Sequence, residues 1–62
     1  MEPYYIANPE HSDTIYGGQL PICIDLAEVN RLSREWDMTP DELLEQMHEA
    51  TEAEIAEYGI AD

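Results

Sequence analysis

Apolar residues at Leu26, Val29, Leu32 and Trp36 are separated by three and four positions, which predicts a helix burying one face. Asp25 stands just before the first of them and offers its side chain as an N-terminal cap, and the helix is expected to end near Asp37. A second apolar set, Leu43, Leu44, Met47, Thr51, Ile55 and Tyr58, keeps helical spacing. It opens on Thr39-Pro40-Asp41-Glu42. Here Thr can cap, Pro suits the first helical position, and Glu42 is placed to close a capping box. With Gly59 just past its end, this second helix is expected to run about 20 residues, or roughly 30 Å.

The pattern changes before Asp25. Tyr4-Tyr5-Ile6-Ala7 is a short β-prone run closed by the turn signal Asn8-Pro9. Thr14-Ile15-Tyr16, Gly17-Gly18 and then Gln19 to Ile24 have the form of a hairpin, because two glycines can take the positive φ values that tight turns demand. Pro21 cannot donate to a ladder and confines its strand to an edge. The expected fold is α+β: a short N-terminal antiparallel β-hairpin packed on two antiparallel α-helices. It is read as a single small domain over residues 1–62, with a β or irregular half at 1–24 and a two-helix half at 25–62.

Composition changes the picture in two ways. A chain of 62 residues buries only about 60% of the surface its unfolded form exposes, so each helix needs the strands, or a second copy of the chain, to cover its apolar face. A homodimer is one expected outcome. The balance of 15 Asp plus Glu against 2 Lys plus Arg gives a net charge of −13. That charge repels nucleic acid and anionic lipid, so no direct nucleic-acid binding and no membrane association are expected. It attracts proteins whose working surface is basic. Trp36, four tyrosines and a regular supply of Leu, Ile and Val argue for a folded chain over a disordered one. The lone Cys23 closes no bridge within the chain, no window is long and apolar enough to span a bilayer, and Glu2-Pro3 stands where a signal peptide would be basic. A cytoplasmic location in a bacterial host is therefore expected.

On one long second helix, Asp41, Glu42, Glu45, Glu49, Glu52 and Glu57 would lie opposite the apolar face as a continuous acidic surface. Neighbours four apart rise about 6 Å along the axis, near the spacing of successive phosphates on one nucleic-acid strand. The chain contains no Lys to pair with them. Other chemistry is weaker. Glu45-Gln46-Met47-His48 has the Glu-x-x-His spacing of di-iron helices, but the remaining ligands are missing, so neither a metal site nor a cofactor is expected. Cys23 between Ile22 and Ile24 reads as a core or strand residue. Arg31 is placed to pair with Glu28 and Glu35. No nucleophile and base can be assembled, so an enzyme is not expected.

From Gln19 to about Tyr58 the layout resembles ribbon-helix-helix proteins: a short strand, an amphipathic helix, a turn, and a second helix opening on a Thr cap with an acid three residues on. In that family the strand pairs across a dimer and carries basic or polar residues into the major groove, whereas Gln19-Leu20-Pro21-Ile22-Cys23-Ile24 contains no Arg or Lys. In size and charge the whole chain is similar to the small acidic inhibitors of phages and mobile elements, including anti-CRISPR and anti-restriction proteins. That resemblance implies an acidic inhibitor that mimics nucleic acid and blocks the basic channel of a host defence protein, most readily a CRISPR effector. The expected contact residues are Asp41, Glu42, Glu45, Glu49, Glu52 and Glu57. The alternative is a protein–protein interaction module, antitoxin-like or ribbon-helix-helix-like, that binds through an apolar surface of tyrosines and Trp36.

Overall fold

The structure is a computed structural model that describes residues 3–60. The outer ends of the expected domain, with Glu2, lie outside the described residues. Three short strands, β1 (Tyr4–Ala7), β2 (Ile24–Asp25) and β3 (Met47–Glu49), form an antiparallel sheet in the order β2-β1-β3. Among the described residues four α-helices accompany it: α1 (Ser12–Tyr16), α2 (Leu26–Glu35), α3 (Pro40–Glu45) and α4 (Glu52–Tyr58). The fold is α+β, and N-terminal residues do pair in antiparallel fashion, Tyr4 with Asp25 and Tyr5 with Ile24.

Two expected elements differ in detail. Thr14–Tyr16 is helical, not a strand. Gly17 and Gly18 do take positive φ, 60° and 86°, but Gly17 ends α1 by donating to the Asp13 carbonyl at 3.0 Å. The expected 20-residue second helix is also two helices with a strand between them. Thr39 caps α3 and Thr51 caps α4, each in a complete capping box, with Glu42 and Glu54 respectively. Between the caps the chain leaves the helix at Gln46 and lays Met47 against Ala7 in the sheet. Met47 is buried in either arrangement, so its place in the apolar pattern does not distinguish them.

Register fixes the two faces of the sheet, because directly opposed residues share a face and neighbours alternate. Tyr5, Ala7, Ile24 and Met47 point to one side. There they meet Ile15, Val29 and Leu43, with Leu32, Met38 and Leu44 packed around them. Ile6, Cys23 and His48 occupy the other side, under α4. α2 ends in a Schellman arrangement: Asp37 takes the left-handed conformation at φ 55°, its N–H bonds Arg34 and that of Met38 bonds Ser33. Ser33 is fully buried and donates its hydroxyl to the Asn30 carbonyl at 2.8 Å. Leu26 and Trp36, at the two ends of the α2 stripe, remain 45% and 41% exposed, so the buried part of that stripe is shorter than its spacing suggests.

Tyr16 explains why β2 is only two residues long. Extending the β1–β2 register by two residues sets Ala7 opposite Ile22. The Tyr16 hydroxyl sits in that rung, accepting from the Ala7 N–H at 3.2 Å and donating to the Ile22 carbonyl at 2.6 Å. Partial burial pushes its pKa up, so it remains a donor at neutral pH. Tyr16→Phe strands both backbone groups and should cost about 1–3 kcal/mol, read from the urea midpoint at unchanged slope. A midpoint equal to that of the parent protein would mean that water replaces the hydroxyl without loss.

Candidate functional site: an exposed acidic surface and a histidine-latched helix

All six acids named from the sequence are exposed. They do not form a row on one helix, because that helix is interrupted: Asp41, Glu42 and Glu45 lie on α3, Glu49 on β3, and Glu52 and Glu57 on α4. Only Asp41 and Glu45 keep the i,i+4 relation within one helix. Glu42 is partly committed, since its carboxylate accepts from the N–H and hydroxyl of Thr39 at 3.2 and 3.1 Å.

The ion pairs among the described residues are Glu10–His11, Glu28 and Glu35 with Arg31, and Glu54–His48. Arg31 thus pairs with Glu28 and Glu35, as its spacing implies. None of the six acids belongs to these pairs, so none is ion-paired among the described residues.

The structure adds a constellation that spacing alone could not assemble. His48 points from β3 toward α4, with Nδ1 2.6 Å from Asn8 Oδ1 and Nε2 2.8 Å from Glu54 Oε2. Asn8 is 40 residues away in sequence, beyond the reach of any local motif. Both ring nitrogens fill these contacts as donors when the imidazole is protonated, and a reversed Asn8 amide satisfies the neutral ring equally well. Glu54 was recoverable from sequence, since Thr51-Glu52-Ala53-Glu54 is a second capping-box signature. A helix unbroken from Thr39 hides it. The Glu-x-x-His reading of Glu45 and His48 fails for the same reason: α3 ends at Glu45 and His48 is on a strand.

α4 contributes no fully buried residue. It is held by the His48–Glu54 contact and by the bond from the Cys23 N–H to the Gly59 carbonyl at 2.8 Å, beside which Ile60 pairs with Cys23. A small cavity of about 150 Å³ lies between α4 and the sheet, lined by Ile6, Pro21, His48, Glu54 and Tyr58 among others. Cys23 is completely buried. Desolvation, and then the charge of Glu54, push its thiol pKa up, which keeps it protonated and unreactive.

The Thr51 N–H foremost, and then His48, hold the Glu54 carboxyl below its ordinary pKa. A depressed folded-state pKa adds stability that is present above the unfolded value and is lost as pH falls through the folded one. Acidification through the carboxylate range should therefore loosen α4, seen as falling protection of its amide protons. Glu54→Gln should remove that acid-side step. An identical pH profile in the variant would mean that another group loosens the helix.

No family model, no curated protein and no solved structure matches the chain.

Proposed function

We propose that this protein is an acidic inhibitor that mimics nucleic acid and blocks the basic nucleic-acid-binding channel of a host defence protein, with a CRISPR effector as the first target to test. One observation carries this reading. A folded chain of net charge −13 holds six exposed acids on three consecutive elements, α3, β3 and α4, without pairing any of them to a cation among its described residues. Self-repulsion of that size costs folding stability, and a basic partner surface offsets it on binding. The break between α3 and α4 changes the presentation from one straight row to a surface spread over two short helices and a strand. The test is inhibition of the effector's DNA binding by the protein and by its triple charge-reversed variant at Glu45, Glu49 and Glu52, whose expected behaviour is argued below.

An interaction module binding through apolar contacts is the second reading, favoured by Leu20 at 86% exposure with Ile22, Trp36 and Ile60 also open to solvent. Binding of that kind survives high salt, whereas attraction between exposed charges is screened.

A further inference from the structure

The two faces of the sheet are closed differently. Ala7, Ile24 and Met47 are buried in one cluster with Ile15, Val29 and Leu43, whereas Ile6 and Cys23 are equally buried but lie outside it, on the face under α4. That cover is thin. No residue of α4 is fully buried, and the cavity lined by Ile6, His48, Glu54 and Tyr58 lies between the helix and the sheet.

The hydrogen bonds of α4 are mostly its own. Thr51 and Glu54 close its capping box, Ile55 donates to Thr51 and Gly59 donates to Ile55, both at 2.9 Å. Just ahead of the helix the chain is pinned to the sheet, where Ala50 donates to the Tyr4 carbonyl at 2.8 Å. Beyond Ala50, two hydrogen bonds among the described residues join this segment to the rest of the chain: Glu54 with His48, and the Cys23 N–H to the Gly59 carbonyl. A unit with few buried apolar contacts and few such ties opens at a lower free energy than the whole molecule. We propose that α4 is a lid latched by His48 and Glu54. It opens as a unit on the link between Ala50 and Thr51 while the sheet and α1–α3 stay folded, and it uncovers Ile6 and the Cys23 thiol. The Cys23 N–H loses its acceptor in the same event, so one backbone position reports the lid directly. The lid does not depend on the acidic-surface reading, which needs only that the acids be exposed.

The test is amide exchange of the full-length protein in low urea, with iodoacetamide labelling of Cys23 followed in parallel and referred to the unfolded chain. The amides of Cys23, Ile55 and Gly59 should be about tenfold or more less protected than those of Ala50 and Val29. They should respond little to urea, because opening the lid exposes little surface. Labelling of the thiol should be slowed by the same factor as exchange of the Cys23 amide. His48→Ala removes the latch and should lower the protection of both Cys23 reporters about tenfold. Should that variant fail to fold, the parent protein decides by itself. Reporters as protected as Ala50, with the same urea slope, mean that α4 leaves only on global unfolding and overturn the lid. A thiol labelled as fast as in the unfolded chain means that the lid is never shut and overturns it too. Exchange at Gly59 with the thiol still held at the Ala50 level means that the helix end frays over a covered floor, which also overturns it. Unchanged protection in a folded His48→Ala variant overturns the latch.

Discussion

Reversing Glu45, Glu49 and Glu52 to Lys abolishes inhibition of the target and leaves the fold intact. Each reversal removes one attraction to a basic surface and introduces one repulsion. Close charge pairs across interfaces couple by about 1.5 kcal/mol at the low end, which is about tenfold in affinity, so three lost pairs predict a loss of about a thousandfold or more. The fold tolerates the change because all three side chains are exposed. Lys at position 52 is unfavourable in the first turn of α4, while Lys at position 45 is favourable in the last turn of α3, each effect being about 0.3–1 kcal/mol. Relief of the overall negative charge works in the same direction as the second. Inhibition and far-UV circular dichroism measured on the same preparation check both halves of the expectation. Full inhibition by a folded triple variant removes these acids from the mechanism.

Leu43→Ala unfolds the protein. Leu43 has no exposed surface and sits where α3 meets the sheet core of Ala7, Ile24, Val29 and Met47. Truncating a buried Leu to Ala costs about 2–5 kcal/mol. A single hydrophobic core in a domain below about 70 residues rarely supplies more than about 3–5 kcal/mol, so the loss is comparable to everything available. The variant should show collapsed amide dispersion and no cooperative urea transition at 25 °C. A retained transition weakened by less than about 1 kcal/mol would mean that the core closes over the gap and that stability comes from elsewhere.

What was legible in the sequence was local. The Asp25 cap of α2 accepts from the Glu28 N–H at 2.9 Å, the Thr39 capping box is complete, and the β-prone run Tyr4–Ala7 is a strand. Each is set by side chains within a few residues. The misread parts depended on distant partners. Thr14–Tyr16 has the residues of a strand, but Tyr16 is used as a cross-brace between Ala7 and Ile22, and a helix delivers its hydroxyl there. Residues 46–50 continue a helical spacing, yet β1 needs a second neighbour and Met47 fills the core equally well from a strand. Exposure of the acids could be read from spacing. Their distribution over three elements could not, and neither could the meeting of His48 with Asn8 and Glu54, which exists only once β3 lies beside β1.

The central claim is that the acids are a binding surface directed at proteins that hold nucleic acid. Its most direct test is capture of partners by the tagged full-length protein from a lysate of a CRISPR-bearing bacterium, with the bound material challenged in parallel by short DNA duplexes and by rising salt. The expected result is a nucleic-acid-binding protein released by both challenges, because DNA competes for the same basic channel and salt screens the attraction. A captured partner that resists both DNA and salt would contradict the claim and place the function on the exposed apolar residues.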